Sequence, residues 1–235
     1  MNRKYNFIPL ALPFFVILFF ILILLWPLLF FIYAGSIVSV FARLGFSPAV
    51  GYSLFWAALI GSMINIPIKK IGSNAPMVTQ KEVSFYGMRY VIPVVEEQQT
   101  TIAVNLGGAI IPVGISLYEL VRVLAMGRIW LFTASIIAIV VVAAVCYHFA
   151  KPVKGVGIAI PTFIPPLVAI AVALLLAFHS PTVVAYVGGT IGTLIGADLM
   201  NLDKISKLGA PVASIGGAGT FDGIFLTGVL AVLLV

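Results

Sequence analysis

An uncharged apolar segment near the N-terminus constrains this chain more than any other feature. No charged residue occurs between Lys4 and Arg43, and a helix needs only about 20 mostly apolar residues to cross a bilayer. The whole chain is 62% hydrophobic and 9% charged, whereas soluble domains carry about a quarter charged residues. The sequence therefore predicts an integral protein of the lipid bilayer. The segment exceeds the h-region of a signal peptide, about 7–15 residues, so we expect a retained anchor.

Seven segments have the length and hydropathy of membrane spans. They comprise residues 8–34, 48–68, 101–121, 129–149, 155–178, 181–201 and 215–235. Prolines in the first and fifth spans, and glycines with Pro112 in the third, predict that some helices are kinked or broken. We expect an all-α polytopic membrane protein of about seven transmembrane helices, forming a single integral membrane domain over residues 1–235.

The distribution of basic residues predicts the orientation of the chain. Cytoplasmic loops of membrane proteins are enriched in lysine and arginine. With the N-terminus inside, only Arg43, Arg122 and Arg128 of the 13 basic residues fall on the outer side. We therefore expect a multi-pass protein of the cell membrane, with its N-terminus in the cytoplasm and its C-terminus outside.

The connection between the second and third spans contains the segment "KEVSFYGMRYVI", residues 81–92. Residues with high strand propensity, among them Phe85 and Tyr90, flank Gly87, which is typical of a hairpin. We predict a short cytoplasmic β-hairpin here; the alternative is a surface loop or an amphipathic interfacial segment. Such a hairpin can hold an unwound peptide substrate as an added strand.

Several functions are disfavoured by the residues that they would need. The basic residues lie singly or in pairs between apolar runs, which argues against a nucleic-acid partner. Cys146 is the single cysteine, so the chain has no internal disulfide and no cysteine-based metal site. His148 and His179 lack the spacing of a zinc motif. We expect no metal and no cofactor.

Two aspartates fall within the predicted spans. Ionisable residues at membrane depth are costly and therefore indicate function. Asp222 lies seven residues after Ile215, which is about 10 Å of helix, and Asp198 lies near the cytoplasmic end of the preceding span. Because these two spans are antiparallel, both carboxylates can lie at similar depths. The other acidic residues fall near span ends, where Glu119 is expected to pair with Arg122 at the outer interface.

Glycines surround Asp222 and weaken the helix there. Gly217 and Gly219 precede Asp222 and Gly223 follows it, so we expect a locally unwound backbone beside the carboxylate. A structural alternative is that Ser214 or Thr220 caps the last helix, which would make Asp222 a first-turn residue. On the preceding span, the small-residue stripe predicts close helix packing; it consists of Gly188, Gly192 and Gly196.

Two facing carboxylates have a defined chemistry. They cannot both ionise cheaply, so they share one proton and their apparent pKa values separate. One then takes a proton from water while the other donates to a carbonyl oxygen, which hydrolyses a peptide bond without a metal. The substrate would be a membrane-embedded peptide or a single-span protein, unwound at the scissile bond.

The segment "GGAGTFDGIFLTGVLA" resembles the Gly-x-Gly-Asp helix of the intramembrane aspartyl proteases, the class of presenilin and signal peptide peptidase. The resemblance implies a catalytic dyad of Asp198 and Asp222, with Gly217 and Gly219 opening the backbone. The pattern differs in that Thr220 and Phe221 separate the second glycine from the acid. Nor does a Pro-Ala-Leu helix follow.

Over its whole length the chain resembles an uncharacterised prokaryotic membrane-protein family, domain of unknown function 1614. The segments "GVGIAIPTFIPPL", "GGTIGTLIGADLMNL" and "GGAGTFDGIFLTG" carry this resemblance, which implies no activity. Our leading hypothesis is an intramembrane aspartyl protease. The alternatives are a proton- or cation-coupled transporter or channel that uses the same aspartates, and a non-catalytic membrane scaffold.

Overall fold

A computed structural model provides the fold and describes residues 11–72, 77–85, 88–96, 99–153, 157–205, 212–217 and 223–235. The helices are α1 (Ala11–Arg43), α2 (Pro48–Gly61), α3 (Ile111–Ala125), α4 (Ile129–Phe149), α5 (Ile164–Ala177), α6 (Pro181–Thr193), α7 (Leu202–Ile205) and α8 (Gly223–Leu233). The strands are β1 (Asn65–Gly72), β2 (Met77–Phe85), β3 (Met88–Glu96), β4 (Gln99–Asn105), β5 (Lys151–Val153), β6 (Gly157–Ala159) and β7 (Val212–Ile215).

The helices have the length and the surface of a membrane protein. In the described part of the chain, four are long and apolar enough to span a bilayer: Phe14–Arg43, Leu106–Ala125, Ile129–Phe149 and Pro181–Lys204. Large apolar side chains also point outward, such as Leu24 at 81% exposure and Leu175 at 82%. Apolar surface of this extent requires lipid contact. The predicted membrane class is therefore confirmed.

The prediction of an all-α fold with seven spans is confirmed only in part. The protein is mostly helical, but it also contains small sheets. Three of the seven predicted spans correspond to shorter apolar helices, namely α2, α5 and α8. Seven crossings therefore remain a prediction.

Several predicted spans are shortened because strands occupy their ends. The second predicted span runs into β1, the third begins in β4, the fifth begins around β6, and the seventh begins at the last residue of β7. Hydropathy cannot separate such apolar strands from helix. β4, with the sequence QTTIAVN, is rich in β-branched residues, which favour extended backbone.

One three-stranded sheet joins distant parts of the chain in the order β1-β4-β7. β1 and β4 are antiparallel, with a register shift between Pro67 and Lys69, where proline has no N–H to donate to the ladder. β4 and β7 are parallel, and Thr101 lies opposite Val212. β7 is thus an edge strand of this sheet.

The predicted hairpin is present. β2 and β3 are antiparallel, from Met77 opposite Glu96 to Phe85 opposite Met88. The intervening residues 86 and 87 lie outside the described residues. The hairpin forms a two-stranded sheet of its own, separate from β1-β4-β7.

α6 lies at the centre of the bundle and packs against α3, α4, α5 and α8. The predicted glycine stripe makes this packing close. A Cβ atom at Gly188 would come within 2.6 Å of the Ala138 Cβ, and one at Gly192 within 2.7 Å of the Val142 Cβ. A larger residue at either position would separate the two helices.

Candidate functional site

Asp198 lies where α6 stops being an α-helix. Leu194–Asp198 is a π-helical segment, and a 3₁₀ turn follows at Leu199–Asn201. The fully buried Asn201 side chain donates hydrogen bonds to the carbonyls of Gly196 at 3.0 Å and Ala197 at 2.9 Å. Asn201 thus supplies side-chain donors to the backbone at this break. π-Helical turns occur frequently at functional sites.

The half-buried Asp198 carboxylate is held against the turn that follows β7. Its Oδ2 atom accepts a hydrogen bond from the Gly216 backbone N–H at 2.8 Å. Gly216 and Gly217 have φ angles of 81° and 83°, a left-handed backbone that favours glycine. The turn aims one backbone donor at the carboxylate, and charge-assisted bonds of this kind are strong.

The start of α3 packs against the same turn. Asn105 ends β4, and a π-helical segment, Leu106–Ile110, leads into α3. A Cβ atom on Gly108 would overlap the carbonyl oxygen of Gly216, and one on Gly216 would lie 2.6 Å from the Ala109 Cβ. Both positions therefore require glycine. The π-helical start of α3 and the π-helical end of α6 therefore both contact the Gly216 turn.

A buried asparagine connects this site to the sheet. The fully buried Asn105 accepts a hydrogen bond from the Gly108 N–H at 2.7 Å and donates to the Ser62 carbonyl at 2.7 Å. It also donates to Asn65 Oδ1 at 3.1 Å, which accepts a second bond from the Ser214 hydroxyl at 2.6 Å. The network links β1 and β4 to β7, the strand that leads to Gly216.

The predicted site residues are only partly brought together. Asp198 and Gly217 lie at the same turn, because Gly217 follows the Gly216 N–H donor. Gly223 is the first residue of α8. Asp222 and Gly219 lie outside the described residues. The geometry of the dyad therefore remains a prediction.

The predicted hairpin residues stand apart from this group. Phe85 ends β2 and Tyr90 lies within β3, in a sheet distinct from the one that contains β7. The side chains of both residues lie outside the described part of the structure, so their role in substrate binding remains a prediction. The proposed cap at Ser214 is wrong, because Ser214 lies in β7 and its hydroxyl bonds Asn65.

Glu119 forms the predicted ion pair with Arg122, at 2.8 Å. The Glu119 side chain is 0% exposed, a burial that the sequence did not predict. The i,i+3 spacing predicted the pair, whereas the burial arises from the packing of α3 against α6. Sequence reasoning also missed Gly216 as a site residue. The Gly216–Gly217 pair, placed after an apolar β-branched segment, is the signal that could have indicated the turn.

Within the described ranges, no group of three or more histidine, cysteine, aspartate or glutamate side chains could hold a metal ion. Cys146 is buried, with its Sγ atom 3.8 Å from the Thr193 hydroxyl. The chemistry available at the site is that of the Asp198 carboxylate and the backbone groups beside it.

The fold and the site together define a polytopic helical membrane protein with a carboxylate at the break of a central helix. A family model described as Protein of unknown function (DUF1614) matches residues 59–234. The chain belongs to this family, as the sequence resemblance predicted. Neither the curated proteins nor the solved structures contain a match.

Proposed function

We propose that this protein is an intramembrane aspartyl protease whose catalytic dyad is Asp198 and Asp222. The observation that carries the proposal is the hydrogen bond between Asp198 and the Gly216 N–H. This contact anchors Asp198 to the segment that leads to Asp222, six residues further along the chain. α8 begins directly after Asp222. The connection is short enough for the two carboxylates to meet.

The Asp198 carboxylate is suited to one half of this dyad. The Gly216 N–H donates to Oδ2 and fixes the orientation of this carboxylate. Two neighbouring carboxylates of a dyad would hold one shared proton between them. In hydrolysis, the ionised partner draws a proton from the attacking water while the protonated partner donates to the carbonyl oxygen.

The edge strand β7 suggests how a substrate is held. β7 pairs with β4 on one side, and among the described strands no other strand lies on its second side. β7 leads directly to Gly216, which contacts Asp198. A substrate segment that unwinds from its membrane helix and adds to this edge would lie alongside the carboxylate. Backbone pairing of this kind recognises an extended chain in a membrane-embedded peptide.

The contacts of the arginines support the predicted orientation with seven crossings. Arg43 donates to the Val232 carbonyl at 2.9 Å and Arg128 to the Ser180 hydroxyl at 3.1 Å. Arg122 donates to the Leu44 carbonyl. The three basic residues assigned to the outer side thus bring together the chain segments expected there. β1, β4 and β7, which lie at the ends of predicted spans that were assigned to the cytoplasmic side, form one sheet.

The protease proposal is tested with the purified full-length chain in bicelles. A panel of single-span substrates is incubated with wild-type protein and the Asp198→Asn and Asp222→Asn variants, and fragments are identified by mass spectrometry. We expect cleavage by the wild type and loss of every specific fragment in both variants. Asp203→Asn is the matched control, because Asp203 is an exposed acid on the short helix α7, and it should retain cleavage. Cleavage that survives Asp198→Asn in a folded protein contradicts the proposal.

A second candidate function is a proton- or cation-coupled transporter. The observation that favours it is that the π-helical start of α3 and the π-helical end of α6, which carries Asp198, both contact the Gly216 turn, since transporters place binding sites at broken helices. Proteoliposomes distinguish the two functions. Ion-dependent flux that is lost in Asp198→Asn, together with no proteolysis by the same preparation, favours transport.

A further inference from the structure

A surface cavity of about 490 Å³ lies between the ends of three helices of the bundle. Two chain segments line it: residues 127–131, which lead into α4, and residues 176–180, which connect α5 to α6. Ligand sites in proteins typically have volumes of about 300–1,000 Å³. Asp198 lies at the opposite end of α6, so this cavity is separate from the site described above.

Hydrogen bonds hold the two walls of the cavity in place. The Arg128 backbone N–H donates to the Val123 carbonyl at 3.0 Å, which closes the turn between α3 and α4. From the same residue, the guanidinium reaches the other wall and donates to the Ser180 hydroxyl at 3.1 Å. The Trp130 indole N–H donates to the Leu176 carbonyl at 2.8 Å. The two segments therefore form one built surface, with Arg128 and Trp130 in fixed places.

The positive charge of Arg128 has no counter-charge in the protein. Within the described ranges, the ion pair of a carboxylate with an arginine is that of Glu119 with Arg122. The sequence contains no aspartate or glutamate between Glu119 and Asp198. A guanidinium has five N–H donors in a planar fork, and the Ser180 hydroxyl accepts from one nitrogen. The exposed fork thus keeps further donors for an anion from outside the chain.

The rim of the cavity is aromatic and apolar. Ile129, Trp130 and Phe178 are all exposed, and the His179 ring lies edge-on to the Phe178 ring with the centroids 5.7 Å apart. Tryptophan is enriched where the hydrocarbon of a bilayer meets its headgroups. An occupant that covers this rim needs an apolar part as well as an anionic group.

We propose that this cavity binds the headgroup of an anionic phospholipid. The Arg128 fork pairs with the phosphate oxygens, and the His179 imidazole donates a ring N–H to a further oxygen of the headgroup. The rings of Trp130 and Phe178 pack against the glycerol backbone and the start of the acyl chains. Basic pockets between membrane helices bind anionic headgroups in this manner. A zwitterionic lipid brings its own ammonium group, which Arg128 repels.

Tryptophan fluorescence tests the site in the full-length protein. Trp26→Phe and Trp56→Phe leave Trp130 as the single tryptophan, and the protein is placed in phosphatidylcholine nanodiscs that contain a small fraction of phosphatidylglycerol with brominated acyl chains. Bromine quenches an indole only at short range. We expect brominated phosphatidylglycerol to occupy the site about fivefold more than brominated phosphatidylcholine at the same mole fraction, the effect of one arginine beside an anionic lipid. Equal quenching by the two lipids overturns the proposal.

Three variants test the assignment of this preference to Arg128. Arg128→Gln should abolish it, whereas Arg128→Lys, which keeps the charge but not the fork, should retain part of it. Lys151→Gln is the matched control, because it removes one exposed positive charge beyond the opposite end of α4 and should retain the full preference. A preference that survives Arg128→Gln, or that falls equally in Lys151→Gln, overturns the assignment.

Inorganic phosphate distinguishes a lipid from a soluble anion. Added at the ionic strength of a chloride control, phosphate should leave the quenching by brominated phosphatidylglycerol unchanged, because it has no apolar part to cover the rim. Relief of the quenching by phosphate but not by chloride overturns the lipid assignment in favour of a soluble phosphate compound. None of these measurements involves Asp198 or Asp222, so the lipid site stands or fails separately from the protease proposal.

Discussion

Gly216 combines three requirements at one position. Its backbone is left-handed, its N–H binds Asp198, and its Cα faces Ala109 closely enough to exclude a side chain. Alanine at this position could still donate its backbone N–H to Asp198, provided that the turn keeps its conformation, but it would not satisfy the other two requirements. The residue therefore determines where the Asp198 carboxylate lies.

Gly216→Ala tests this role. A non-glycine residue at positive φ carries a backbone cost of about 1–3 kcal/mol, and the new methyl group would lie 2.6 Å from the Ala109 Cβ. We expect a loss of stability of about 2–3 kcal/mol, measured by thermal unfolding in detergent, and a loss of proteolysis. Gly114→Ala is the matched control, because a Cβ atom there meets nothing within 4 Å and alanine favours helix. Equal effects at both positions would contradict the argument.

At the residue scale, the sequence indicated Asp198 and the nearby glycines as candidate site residues, and the structure shows Asp198 hydrogen-bonded to the Gly216 N–H. Placing a carboxylate at membrane depth is energetically costly, and this cost alone makes an acid inside an apolar span a candidate functional residue. The burial of Glu119 was not predictable, because Arg122 one turn away indicated a pair at the outer interface. Only the packing of α6 against α3 buries that carboxylate, and a single helix sequence does not contain this information.

Among the secondary-structure elements, the interrupted start of α3 depends on one side chain. Asn105 is the cap of the π-helical segment and the connection to β1, through hydrogen bonds to Gly108, Ser62 and Asn65. It therefore fixes the angle at which the sheet meets the helix. The Asp198 turn rests against this junction.

Asn105→Ala should break this connection. Removing the amide leaves buried backbone groups unsatisfied, at about 1–3 kcal/mol each, so we expect a loss of about 2–4 kcal/mol in unfolding free energy. Gln99→Ala at the exposed start of β4 is the control and should change stability by about 0.5 kcal/mol or less. Thermal unfolding of both variants measures the two stability changes. Wild-type stability in Asn105→Ala would show that the junction is held by packing alone.

At the element scale, hydropathy predicted helices well and strands poorly. The predicted span 129–149 matches α4, Ile129–Phe149, because that segment is continuously apolar. Parts of β1 and β4 adjoin apolar segments and were therefore included in predicted spans, whereas only Ile215 of β7 was. The parallel pairing of β4 with β7 joins Thr101 to Val212, a contact between segments too far apart for any local pattern to predict. The β2–β3 hairpin, which is local, was predicted.

For the molecule as a whole, the arginine contacts and the β1-β4-β7 sheet predict that two surfaces face opposite sides of the membrane. The arginine surface faces outside, and the sheet faces the cytoplasm. Lys70 lies in β1, and Met126 follows α3 at 60% exposure. In a Cys146→Ser background, we expect Met126→Cys to react with a membrane-impermeant maleimide in intact cells. Lys70→Cys should react only after the membrane is permeabilised. The reverse pattern would contradict the orientation predicted from the basic residues.

The pairing of β4 with β7 also sets an order of assembly. Residues 11–205 contain α1 to α7 and six of the seven described strands, yet β7 and Gly216 arrive only with the final part of the chain. Helices can enter the bilayer as they are made, but this sheet closes only after Val212 has been synthesised. Contacts of such long sequence separation form late, because the intervening chain must first be ordered. The Asp198 carboxylate thus forms its hydrogen bond with the Gly216 N–H after most of the membrane domain is in place. The nascent chain therefore lacks this contact.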